Sequence, residues 1–221
     1  MGDDSYSALS SSNYRTYLYG STLSLHGVWI QRLALGWHAW ELTGSAFIVG
    51  LLASAQFLPL IVLTPFFGVL ADRASVRSAA IAVQAVLALS AMALGLLTIT
   101  GRMTTEWLLL LAFVHGIANS AYSPVRHSLI PHLVSKNKFP SAVAINAIVF
   151  NVSRLIGPAI AGVVVAIYGL GAAYFINAVT YLPMILVMFV LHIEEEEPHP
   201  SLRNPYFIRS VNATREAVYA S

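Results

Sequence analysis

His115, Asn119, Tyr122 and Arg126 recur at intervals of four, three and four residues inside one strongly apolar stretch. In a helix that spacing stacks four polar side chains on one face. A charged group at the centre of a bilayer costs about 2.5–3.5 kcal/mol on insertion scales, so intramembrane ionisable residues mark pathways, relays or binding sites. Asn and His also serve as hydrogen-bonding glue between helices, and Arg126, close to the end of its stretch, is able to snorkel to the surface. A second group, His26, Trp29 and Arg32, shares a broad face of an earlier apolar stretch, and Arg154 lies in the middle of a later one beside Asn151. Gln56 and Asn177 read as packing glue, and Trp37, His38 and Trp40 as an interfacial belt.

The same stretches lack an interior carboxylate, because Glu41 and Glu106 sit at helix ends. Proton-coupled chemistry inside them falls to His26 and His115, whose side chains titrate near neutral pH. Arg32, Arg154 and Arg126 form an unopposed positive set, which suits anionic or phenolate-bearing solutes better than cations. Enzyme chemistry has little footing. Neither His-Glu-x-x-His nor Gly-x-Ser-x-Gly occurs, and with zero cysteines there is no thiol or disulfide chemistry. No metal or cofactor is expected.

These residues need elements to hold them, and composition says which. The chain has 221 residues, 57% hydrophobic and only 10% charged, with a mean hydropathy of +0.70. Soluble domains carry roughly a quarter charged residues. A helix of about 20 apolar residues crosses the hydrocarbon core, and six stretches qualify: 17–40, 46–70, 78–99, 107–130, 140–168 and 172–192. No stretch alternates apolar and polar residues for the ten or so positions a transmembrane β-strand needs. The expected class is an all-α polytopic membrane protein with membrane lipid as its solvent. The first residues, MGDDSYSALSSSNYR, lack the order of a cleaved signal peptide and match a myristoylation signal only in part.

An even number of spans places both ends on one side. With the N-terminus in the cytoplasm, inside segments carry Arg15, Arg73, Arg77, Lys136, Lys138, Arg203, Arg209 and Arg215, while outside loops carry only Arg102. The positive-inside rule selects this orientation. It also explains the net charge of +2 without nucleic-acid binding. Three regions follow: a cytoplasmic N-terminus over 1–16, a helical bundle over 17–192, and a cytoplasmic linker over 193–221. The linker opens on Glu194 to Glu197 and three prolines, with an amphipathic helix plausible from Phe207.

Two motifs sit in this frame. Gly68, Leu70, Ala71, Asp72 and Arg73, followed by Arg77, occupy the cytoplasmic gap between the second and third spans. Gly68 permits close helix approach, Asp72 suits a helix N-terminus or an arginine, and Arg73 and Arg77 anchor the loop inside. The order resembles the signature loop of the major facilitator superfamily, with Ser75 and Val76 departing from its Gly and Arg. In the fifth span Gly157, Pro158 and Gly162 resemble the Gly-Pro-x-x-x-Gly motif of its antiporter branches, where proline bends the helix and glycine narrows it. With Leu42 to Ala46 and Pro124-x-Arg126, they resemble the drug-antiporter branch that includes the enterobactin exporter.

That resemblance implies six transmembrane helices as two inverted three-helix repeats, half of a twelve-helix fold. It implies that helices one and four line a substrate cavity, so His26, Trp29, Arg32, His115, Asn119, Tyr122, Arg126 and Arg154 become cavity candidates. The open face is expected on helices one, two, four and five. The implied activity is secondary transport, an exporter or antiporter of small amphiphilic solutes in the inner membrane. A second six-helix half or a second copy is the implied partner. The alternative is a transport-incompetent fragment with the half-fold only.

Overall fold

The computed structural model describes residues 7–71 and 75–191, and no strand occurs among them. Asp72, Arg73, the acidic run and the amphipathic segment from Phe207 lie outside the described residues. Helix α1 spans Ser12–Thr43, α2 Ala46–Ala71, α3 Val76–Ile99 and α4 Thr105–Leu129. A further helical stretch, Phe139–Val190, runs for 52 residues. Among the described residues, four helical regions are long and apolar enough to cross a membrane: Ala46–Leu70, Val76–Ile99, Thr105–His132 and Lys136–Val190. α1 is long enough but is diluted by Gln31, Arg32 and two histidines.

The last stretch is not one rod. Straight, it would extend about 78 Å and hold Ala142 and Met184 about 63 Å apart. Both instead pack in one apolar cluster with Tyr14. The reversal is at Gly169, whose φ of 80° and ψ of 174° lie outside the helical region and in backbone space that suits glycine. It separates α5, residues 139–168, from α6, residues 170–190.

Lipid is as apolar as leucine, so close packing and hydrogen bonds must hold such helices together. Glycines supply the notches. A Cβ on Gly20 would lie 3.2 Å from the Met184 backbone, and one on Gly157 would lie 2.5 Å from the Trp29 side chain, so α1 beds against both α5 and α6. Gly116 brings α4 onto α2, where a Cβ would meet the Gln56 and Ala55 carbonyls at 2.7 and 2.9 Å. The ring of Phe175 on α6 fills the space over Gly95 on α3.

The start of α1 lies five residues earlier than 17, because Ser11 accepts a hydrogen bond from the Tyr14 amide and caps the helix. Tyr14 and Tyr17 are then fully buried. Tyr14 Oη donates to the Ala142 carbonyl at 2.9 Å, and Asn146 Nδ2 donates to the same oxygen and to Tyr14 Oη, also at 2.9 Å. Residues just before α1 join this end, with the Ala8 amide donating to Ser141 Oγ at 3.2 Å. Part of the region expected to be a free N-terminus is therefore packed onto the bundle.

The two motifs divide. Arg77 donates from Nη2 to the Leu191 carbonyl at 2.7 Å, which ties the first turn of α3 to the C-terminal end of α6. Gly68 has nothing within 4 Å of a Cβ position, so the close approach expected there is not made by any described helix. Gly157 is a tight contact, whereas Gly162 faces open space. Pro158 lies within α5 and leaves the Arg154 carbonyl without its intrahelical donor.

The Gly116 contact generates a test. Gly116→Val pushes a branched side chain into the backbone carbonyls of α2, and overpacking of this kind costs about 1–3 kcal/mol. Gly162→Val should fall within about 0.5 kcal/mol of the parent. Thermal unfolding in detergent, followed by tryptophan fluorescence, should show a lower midpoint for the first variant alone.

Candidate functional site

A cavity of about 270 Å³ opens between α1, α2, α4 and α5. It lies at the middle of α1 and the C-terminal half of α4. α1 contributes Leu25, Val28, Trp29 and Arg32, α2 Phe57 and Leu60, α4 Asn119, Tyr122, Ser123 and Arg126, and α5 Phe150. One wall is aromatic and the opposite one polar. Five of the eight cavity candidates, Trp29, Arg32, Asn119, Tyr122 and Arg126, meet here.

Arg32 is held by aromatic faces. Its guanidinium carbon lies 4.7 Å from the centroid of the Trp29 ring and 4.8 Å from that of Phe57. Cation–π contacts of this kind are worth about 0.5–2 kcal/mol, more as water is excluded. The Trp29 ring is itself steadied edge-on by Phe150, centroids 5.7 Å apart at 70°. On α4, Arg126 and Tyr122 are one helical turn apart, the (i, i+4) relation that puts both on one face.

Three polar atoms around this space have no hydrogen-bond partner within ordinary geometry: Trp29 Nε1, Tyr122 Oη and Arg126 Nε. Leaving such a group buried and unpaired costs about 1–3 kcal/mol. Ser21 Oγ and Gln84 Nε2, which do not line the cavity, are also unpaired.

His115 is corrected. It is buried, and its Nδ1 accepts from Gln31 Nε2 at 3.1 Å. Gln31 Oε1 accepts from Asn177 Nδ2 at 2.6 Å, so the other end of the amide is a donor. His115 is thereby fixed as the neutral Nε2–H tautomer. Asn177 reaches Tyr181 Oη at 3.3 Å, which completes a ladder through α4, α1 and α6. The physical reason for the misplacement is depth. His115 shares a helix face with Asn119, but at its level α2 sits hard on Gly116 and Gln31 fills the gap.

His26 is also placed in a helix contact. Its Nδ1 lies 2.8 Å from the Thr22 carbonyl, which only accepts, and 3.1 Å from Ser153 Oγ on α5. Arg154 is exposed on α5 and approaches the Trp29 ring at 5.8 Å without lining the cavity. Arg32 and Asn119 line the cavity, while His115 is buried inside the bundle and His26 is half-buried in the α1–α5 contact. His38 leaves the interfacial belt too. It is buried and stacked on Tyr174, with Nδ1 at 3.1 Å from the phenolic oxygen. Trp37 and Trp40 remain exposed. Sequence reasoning passed over Gln31, Phe57, Ser123, Asn146 and Phe150. For Gln31 the signal was present, a neutral amide deep in an apolar helix.

A family model described as a transmembrane secretion effector matches residues 3–218. The chain belongs to that family, within the major facilitator superfamily of membrane transporters. It is 26% identical over 180 residues to the staphyloferrin A transporter of Staphylococcus aureus, covering 80% of this chain and 45% of that protein. An uncharacterised transporter of Bacillus subtilis is 29% identical over 179 residues, covering 80% and 41%. Macrolide efflux protein A of Streptococcus pyogenes is 21% identical over 198 residues, covering 90% and 49%. The chain spans about half the length of these relatives. No solved structure matches it.

Ladder and cavity should separate under mutation. Asn177→Leu strands the Gln31 carbonyl and should cost about 1–3 kcal/mol. Asn119→Ala, on the cavity wall, should shift stability by less than about 0.5 kcal/mol. Thermal melts of the two variants in one detergent make the comparison.

Proposed function

We propose that this chain forms one six-helix half of a secondary active transporter that exports small amphiphilic solutes across the inner membrane. Both termini lie in the cytoplasm. α1 to α3 and α4 to α6 act as two inverted three-helix repeats, and the substrate path runs along the cavity between α1, α2, α4 and α5. A second six-helix half, or a second copy of the chain, closes that face.

The observation that carries this reading is the cavity itself. Arg32, Trp29, Tyr122 and Arg126 gather around one cavity between α1, α2, α4 and α5. Polar groups at membrane depth are tolerated where they face protein or water rather than lipid. The flanking helices agree, because α2 and α5 turn out large apolar side chains such as Ile61, Phe66 and Leu155. The relatives named for efflux and for transport, each about twice as long, support an export role and a second half.

The natural absence of cysteine makes cross-linking clean. In native membranes, the Ile61→Cys/Leu155→Cys variant labelled with a benzophenone maleimide and irradiated, so that the second bond inserts into any C–H, should join the chain to a second polypeptide. The Leu89→Cys/Leu186→Cys variant, on exposed positions of α3 and α6, should stay monomeric. A chain that remains uncoupled at α2 and α5 is a half-fold without a transport partner, and the proposal fails.

A further inference from the structure

We infer that the cavity is an anion-selective subsite, built for the acidic head of an amphiphilic solute. This rests on the transporter reading for its direction of use but not for its binding chemistry. The first support is the kind of hydrogen bonding left open. Trp29 Nε1 and Arg126 Nε have no partner, and an indole or guanidinium N–H donates and never accepts. Tyr122 Oη lies among Ser21, Ser24 and Arg126 and is able to donate. A cation brings more donors to such a site; a carboxylate, phosphate or phenolate brings acceptors.

The second support is charge. Arg32 and Arg126 both line the space. Among the described residues the only carboxylates are Glu41 and Glu106. Glu41 lies about 13 Å along α1 from Arg32, and its Oε1 accepts from Trp37 Nε1 at 2.5 Å. Glu106 lies about 30 Å along α4 from Arg126. Aromatic faces steady Arg32 without neutralising it. Two full positive charges beside a narrow, weakly polarisable space act strongly on a solute.

The third support is size and surface. At about 270 Å³ the cavity falls just under the usual 300–1,000 Å³ of small-molecule pockets, so it holds a compact aromatic acid or the head of something longer. Trp29, Phe57 and Phe150 supply the apolar wall against which such a body lies.

The test is a titration of the protein in phosphatidylcholine nanodiscs with two probes of one fluorophore and opposite charge, dansylglycine and dansylcadaverine. Dansylglycine should bind at least about tenfold tighter. Arg32→Gln and Arg126→Gln should each weaken it about tenfold, since each removes a charge-assisted hydrogen bond to the anion. Arg15→Gln, exposed and remote from the cavity, should change nothing. Repeating the titration in phosphatidylglycerol discs separates the sources of the anion: unchanged affinity assigns the site to a free solute, and competition assigns it to a lipid headgroup. Equal or tighter binding of dansylcadaverine by the parent protein overturns the inference, whether or not the variants fold. So does a folded Arg32→Gln/Arg126→Gln protein that keeps the parent's preference. Reversed selectivity with intact cross-links leaves the transporter reading standing; intact selectivity without cross-links removes that reading alone.

Discussion

Every polar group that enters hydrocarbon must find a partner, and the amide of Gln31 is where this chain meets that demand most completely. Its nitrogen serves His115 on α4 and its oxygen serves Asn177 on α6, so one side chain of α1 spends both ends on two other helices. Water cannot compete there, which is why such a network specifies position as well as adding stability. Gly27 lies beneath it, and the side chains of Asn177 and Thr180 occupy the place of its absent Cβ. Helix α1, the least apolar of the long helices, is thus held by hydrogen bonds and notches where its neighbours rely on bulk.

Satisfaction at one level leaves want at another. Around Gln31 the donors and acceptors close on each other; on the neighbouring cavity wall Trp29 Nε1 and Arg126 Nε do not. The two regions are distinct along α4, which is pressed onto α2 at Gly116 and lines the cavity from Asn119 to Arg126. Arg32 stands at the boundary, gripped by Trp29 and Phe57 rather than by a carboxylate. An aromatic clamp orients a guanidinium yet keeps its charge available, unlike an ion pair.

Much of the fold was legible because span length is a hard constraint: a run of about 20 apolar residues in this setting is a helix. The Gly-Leu-Ala-Asp-Arg order and the Gly157-Pro158 step pointed to the superfamily that the comparisons bear out. Depth was not legible. Periodicity placed His115, Asn119, Tyr122 and Arg126 on one face, but only the three-dimensional closure of α2 and α6 shows that the first of them faces a glutamine. His38 misled for the same reason. It stands between two exposed tryptophans, and the Tyr174 that buries it comes from a helix 136 residues away. The hydrogen-bond partners of α1 come from the far end of the chain, so no local pattern announces Gln31 or Asn146.

The α1, α2, α4 and α5 face carries an accessible, electropositive cavity. With no native thiol to interfere, Asn119→Cys places one reporter on its wall. The measurement is the rate of modification by a sulfonate and by a trimethylammonium methanethiosulfonate, each normalised to its rate with a small free thiol. The account predicts that Asn119→Cys reacts and that the normalised ratio favours the sulfonate, with Arg32→Gln erasing the preference. A thiol at 119 that resists both reagents in folded protein, or that favours the ammonium, contradicts it.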